Sequence, residues 1–294
     1  MAAPEQDPPR FFDRALLRRR QRRAQTLGVE TFLFDRVAAD MEERLGAVVR
    51  KFDHAADIGS PGEAVMQVLR ARADTADAIT LPDSDSEPLP LAREAFDLAV
   101  SVLALQAVND LPGTLAQIRR ALRPDGYFLA AMAGGDTLTE LRQAFAAAEA
   151  EIEGGLSPRV APMVDLRDAG ALLQRAGFAL PVTDVDRVVV RYAHVFALMQ
   201  DLRRMGATNI LSERRRAPLR RATLARMAEI YAERFADADG RIRATFDIVW
   251  MAGWAPHDSQ PKPLKPGSAK MSLEAAVKKA GGSSASRPGE GRDP

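Results

Sequence analysis

Cysteine is absent from the 294 residues, which removes disulfides, thiolate metal sites, iron–sulfur clusters and a cysteine nucleophile together. Histidine is nearly as scarce: His54, His194 and His257 are too few and too scattered for a histidine-rich metal site. Lysine is rare too, with only Lys51 ahead of a cluster of five at 262, 265, 270, 278 and 279. Neither sign of charge dominates, since 41 basic residues face 40 acidic ones for a net +1, so bulk charge names no polyanionic partner. No apolar run approaches the roughly 18 residues a membrane-spanning helix needs. The opening MAAPEQDPPR has no apolar stretch of signal-peptide type, and secretion is not expected. What is present, 46% hydrophobic and 28% charged residues, is the balance of an ordinary globular protein with room for one large domain or a domain with an insertion.

Periodicity supplies the organisation. FFDRALLRRRQRRAQTL places Phe12, Leu16 and Leu17 on one side of a helix and arginines elsewhere. Such a helix suits a mitochondrial presequence, a membrane-surface element or a nucleic-acid patch; the favoured reading is a solvated helix packed on the domain, and Glu5 and Asp7 speak against a presequence. Phe32, Val37, Met41, Leu45 and Val48 mark a second helix, expected as a lid across a ligand edge. Strands are expected at Phe52–Ile58, Ala78–Leu81, Phe96–Leu103, Tyr127–Met132, Pro181–Tyr192 (an edge strand) and Arg243–Trp254. Helices are expected at Glu63–Ala73, Leu111–Leu122, Thr137–Glu153, Leu166–Ala176, Val195–Met205 and Arg220–Phe235. In the Arg123–Gly126 turn, Gly126 is expected to take the positive φ. The alternation predicts βαβ units and a mostly parallel sheet. The expected domains are a basic N-terminal helix (1–29), an α/β domain (30–256) with a helical insertion at about 195–240, and a disordered Pro/Gly/Ser/Lys tail (257–294) with room for a short helix at Ser272–Ala280.

In an open parallel sheet, ligands bind beyond the carboxyl ends of the strands, where a glycine-rich turn exposes backbone N–H groups. The first such junction reads Asp57-Ile58-Gly59-Ser60-Pro61-Gly62-Glu63. By itself it is equally a tight strand–helix turn. No residue stands out by spacing as a chemical catalyst. Asp136 could face the site, but it is better placed as N-cap of the helix at Thr137, and His194 reads as structural.

The segments FDRALLRRRQRRA, LPLAREAFDLAVSVLALQAVNDLPGTLAQIRRALRPDGYFLAA, GGDTLTELRQAF, SPRVAPMVDLRDAGALLQRAGF and ATNILSERRR resemble those of class I S-adenosylmethionine-dependent methyltransferases. Within that family the resemblance is to the branch holding the mitochondrial complex I assembly factor that acts as an arginine hydroxylase, with its bacterial relatives; the malonyl carrier-protein O-methyltransferases of biotin synthesis are a more distant branch. It implies a Rossmann-like α/β sandwich, a mostly parallel sheet with helices on both faces, closed by an antiparallel hairpin of the late strands. It also implies S-adenosylmethionine as cofactor, contacted by Asp57, Gly59, Gly62, Asp83 and Leu105, and a substrate side containing Asp136, Arg214 and Arg215.

The chain departs from the family pattern in three places. Pro61 stands for the second glycine of the cofactor turn and Glu63 for the third; proline removes an N–H, and glutamate adds bulk and negative charge. The stretch from Gly59 to Leu89 is short by roughly a dozen residues for the usual strand–helix–strand, so Asp83 or Asp85 stands either as the ribose acid or as part of the third-strand region. Gln106-Ala107 replaces the family's His-Trp. Two functions therefore stay open: an enzyme modifying a protein, most concretely an arginine on a complex I subunit, and a cofactor-poor member that docks partners. A carboxyl O-methyltransferase of biotin synthesis is a weaker third. The arginines at 203–204, 214–216 and 220–226 suit protein docking better than RNA, because aromatics for base stacking are few. The expected location is a bacterial cytoplasm, at the inner-membrane surface.

Overall fold

The computed structural model describes residues 10–82 and 88–261. The chain divides into two compact units, Met1–His257 and Asp258–Pro294. Of the second, only 258–261 are described, and they contain no helix or strand. The tail expected beyond 261, the short helix expected at 272–280, and Asp83 and Asp85 lie outside the described residues.

The first unit runs α1 (Arg14–Leu27), α2 (Phe32–Gly46), β1 (Phe52–Ile58), α3 (Ala64–Arg72), β2 (Ala73–Ile79), β3 (Phe96–Val102), a 3-10 turn at Leu105–Ala107, α4 (Leu111–Ala121), β4 (Leu122–Gly134), α5 (Thr139–Glu153), α6 (Leu166–Arg175), β5 (Ala179–Tyr192), α7 (Val195–Arg204), α8 (Arg221–Phe235) and β6 (Ile242–Trp254). The six strands form one sheet in the order β2-β1-β3-β4-β6-β5. β2, β1, β3 and β4 are parallel, and β6 lies antiparallel between β4 and β5. This is the Rossmann-like sandwich expected from the sequence. β3 is buried along its whole length, as a central strand covered on both faces must be.

The pleat divides the core in two. Leu98, Val100, Leu129, Ala131, Phe246 and Ile248 face α2, α3, α5, α7 and α8, while Ala56, Ile58, Ala99, Phe128, Ala130 and Met251 face α4 and α6. α2 buries Leu33, Phe34, Val37, Ala38, Met41 and Leu45 against the first face. Its Phe34 ring also reaches Gly62 in the turn after β1, and its wide apolar stripe is covered.

Three local expectations are corrected. β2 starts at Ala73 directly after α3, not at Ala78; Asp74 and Asp77 are exposed along it, as a sheet edge permits, and this polar composition hid the strand. The positive φ near the 123–126 turn belongs to Asp125, at 63°. Gly126 is required for space instead, since a Cβ there would stand 2.9 Å from the Arg123 carbonyl oxygen. Asp136 does not cap α5: Leu138, at φ 54°, is the cap residue, and no side chain caps the helix.

Candidate functional site

The parallel strands end at one edge, where the turn after β1 meets the segment leaving β2. Asp57 is buried there, and desolvation pushes its carboxyl up to about 6. Its Oδ1 accepts the Ser60 N–H at 3.3 Å. The Gly59 N–H donates to Ile79 O at 2.9 Å, the Val102 N–H donates to Ser60 Oγ at 2.8 Å, and Ser101 Oγ donates to Ile58 O at 2.7 Å. The turn is thus knitted to the strands on either side.

Gly59 has φ +73°, and a Cβ on it would stand 2.6 Å from Leu81 Cγ. The approach that a glycine opens toward the backbone is here filled by the chain's own leucine, itself 9% exposed. Gly62, at φ +76°, lies against the Phe34 ring. Glu63 is the N-cap residue of α3 but makes no capping bond, and its distant partner is Arg70 at 3.9 Å. Leu105 is buried in the same core as Ile58 and Leu81, where it packs; it does not line an open edge.

These residues do not fit S-adenosylmethionine in this arrangement. Leu81 takes the space over the first glycine and Pro61 lacks an N–H, while the two acids expected at the ribose, Asp83 and Asp85, are outside the described residues. No strand pairs with the outer edge of β2 among the described residues, which agrees with the shortened stretch read from the sequence. Nor do three His, Asp or Glu side chains among the described residues converge as metal ligands.

The substrate-side residues are placed differently from expectation. Asp136 Oδ2 accepts Arg187 Nη2 at 2.7 Å, and the same guanidinium grips buried Asp247 at 2.7 and 2.8 Å. Arg214 donates to Asp13 at 3.2 Å and to Leu211 O at 2.8 Å. Arg215 pairs with Glu153, and Arg226 with Glu151, Glu229 and Glu233. The arginine-rich stretch is thus matched in part by the protein's own carboxylates, which lie at the cap of α1 and on α5 and α8. His194 caps α7, its Nδ1 accepting the Ala197 N–H at 3.1 Å, the structural role expected of it.

Two of the sequence blocks that carry the family resemblance are anchors. In Val108-Asn109-Asp110-Leu111-Pro112-Gly113, Asn109 takes the Phe12 N–H at 2.7 Å and donates to the Phe12 carbonyl at 3.1 Å. Asp110 caps α4 through the Gly113 N–H at 2.8 Å, and any Cβ on Gly113 would collide with that carboxylate at 1.9 Å. In the Gly134–Glu140 block, Gly135 turns at φ +49° beside Asp247. Thr137 Oγ donates to Gly134 O at 2.8 Å, and buried Glu140 accepts the Thr245 N–H at 3.1 Å. Sequence reasoning missed the clasp above the edge: Phe12 bridges Leu211, Asp13 N–H donates to Ile210 O, and Ser212 N–H to Phe11 O, both at 2.8 Å. It also missed Arg18, whose Nη2 donates to Leu81 O at 2.6 Å. Pairing between segments some 200 residues apart leaves no local signal.

Comparison with known proteins adds to this geometry. The methyltransferase domain family matches residues 59–130. The chain is 37% identical over 285 residues to the arginine-hydroxylase NDUFAF5, mitochondrial, of Danio rerio, covering 89% of this chain and 88% of that protein. The Homo sapiens protein of the same name is 38% identical over 284 residues, covering 90% and 82%. A malonyl-[acyl-carrier protein] O-methyltransferase of Laribacter hongkongensis is 42% identical over 187 residues, 64% of this chain and 60% of that one. Among solved structures, the YcgJ protein of Bacillus subtilis shares the fold at TM-score 0.51 and 12% identity, covering 75% of this chain and 98% of that one.

Proposed function

The chain belongs to the class I S-adenosylmethionine-dependent methyltransferase family, on the branch of the NDUFAF5 arginine hydroxylases, and from that premise we propose that it acts on an arginine-bearing protein in respiratory complex I assembly. One observation carries this reading: identity of 37% to an arginine hydroxylase extends over 89% of the chain, a span that takes in α7 and α8 as well as the sheet. S-adenosylmethionine is the cofactor that membership implies, and the turn from Asp57 to Glu63, with Leu81 over Gly59 and Pro61 lacking an N–H, does not admit it in this arrangement. The chain's own part, on this reading, is to seat the protein at the face made by α1, α7 and α8 and to exclude water from the edge. No helix among the described residues is long and apolar enough to cross a membrane, and the proposed location is a bacterial cytoplasm beside the inner membrane.

The test is mass spectrometry of complex I subunits from strains with and without the gene. An arginine bearing one added oxygen, present only with the gene, supports the reading. Unmodified arginines in both strains overturn the chemical part of it. A second reading, docking without chemistry, is favoured by Leu81 over Gly59 together with Pro61 and Glu63. It expects complex I assembly to fail without the gene while no subunit changes in mass.

A further inference from the structure

We infer that α1 is a strap which holds Leu81 as a plug in the cofactor edge, so that the resting chain keeps this edge shut. The inference stands on Leu81, Gly59 and Arg18 alone, and it is independent of which protein the chain serves.

Three observations converge on it. The first is steric: the Gly59 Cβ position lies 2.6 Å from Leu81 Cγ and 2.8 Å from Leu81 Cδ1, so the leucine sits in van der Waals contact with the turn and leaves no gap for a ligand atom. The second is polar. The N–H of Gly59 is taken by Ile79 O and that of Ser60 by Asp57 Oδ1, while Pro61 has none. A ligand entering here finds no donor in this turn until Gly62. The third is the tether. Leu81 follows β2 in a segment with no strand partner beyond it among the described residues, and a lone edge segment of this kind opens readily. Arg18 reaches across 63 residues of sequence to donate to its carbonyl at 2.6 Å. A charged donor makes the stronger class of hydrogen bond.

α1 is positioned to deliver that arginine. Asp13 caps the helix by accepting the Leu16 N–H at 2.9 Å, and the Phe12–Leu211 bridge and the Asn109 clamp fix the helix start. Arg20 donates to Asn209 O, and Arg204 to Gly28 O at 2.8 Å, which seats the helix along α7. Only Ala24 of α1 is fully buried. The strap is therefore held mainly by polar contacts at its surface. Such contacts exchange for water or for a partner more cheaply than a packed core does.

The cysteine-free chain permits a direct test in the full-length protein. A Leu81→Cys variant carries one thiol, whose modification by a disulfide reagent reports opening of the plug. The expected result is slow modification in the Leu81→Cys protein and acceleration by about tenfold or more when Arg18→Ala is added. Arg22→Ala on the same helix is expected to leave the rate unchanged. Thermal melts on all three proteins check that the fold persists. Modification of Leu81→Cys at the rate of a free thiol overturns the plug. An Arg18→Ala rate equal to the parent's, or an equal acceleration by Arg22→Ala, overturns the strap.

Discussion

Arg187 and Asp247 are register partners across the β5–β6 pair, and the guanidinium of the first is bonded through two nitrogens to the carboxylate of the second, at 2.7 and 2.8 Å. Asp247 is 3% exposed, and the Arg187 hydrogen bond is the main cause holding its carboxyl below the usual range, against desolvation. Its acid therefore stabilises the fold above the ordinary Asp pKa, and that contribution is lost as pH falls through the lower folded value.

Arg187→Ala should lower stability at neutral pH, because it leaves the buried Asp247 carboxylate without its two-nitrogen partner. It should also flatten the acid limb of the stability profile. Urea unfolding between pH 3 and pH 7 checks both, and an unchanged acid limb would show that the Asp136 N–H, which donates to Asp247 Oδ2 at 3.0 Å, alone holds the carboxylate.

Asp57 presents the opposite sign. Burial raises its carboxyl to about 6, so the native state binds a proton more tightly than the unfolded chain. Stability falls as pH rises from the ordinary Asp value through 6. Asp57→Asn keeps an oxygen for the Ser60 N–H and should stabilise the protein at pH 8 by about 1–3 kcal/mol. The gain should vanish near pH 4. Melting temperatures of the two proteins at these pH values are the measurement.

Gly59→Ala combines a positive φ with a collision, and about 2–4 kcal/mol of destabilisation is expected. Adding Leu81→Ala removes the collision but not the strain. The double variant should then be more stable than the two single costs add up to, and a double-mutant cycle by chemical denaturation measures that coupling. Additive costs would mean the two side-chain positions do not share a volume.

His194→Ala should cost about 0.5–2 kcal/mol through the lost cap on α7, with His194→Asn close to wild type. A loss of function in a stable His194→Asn protein would contradict the structural role.

The sheet was legible in the sequence because apolar runs such as Phe96–Val102 and Tyr127–Met132 declare buried strands, and Pro/Gly punctuation separates them from the helices. β2 was misplaced because an edge strand can be polar, and ADTADAI carries two exposed aspartates. The departures at Pro61 and Glu63 were visible as residues. What filled the gap they left was not, since nothing local in Leu81 distinguishes a plug from a core leucine. The carboxylate partners of Arg215 and Arg226 left no local signal, because Glu153 and Glu151 sit about 60 to 75 residues earlier on α5. Asp136 was read as a cap because Asp before Thr is a common cap pattern. Its actual partner, Arg187, arrives only when β5 is laid beside β6.

Closure of the edge by Leu81 is tested by titrating the purified full-length protein with S-adenosylmethionine and S-adenosylhomocysteine. No heat and no shift in melting temperature are expected at millimolar ligand. Micromolar binding, about −8 kcal/mol, would contradict it and mean that Leu81 yields its place over Gly59 to the cofactor.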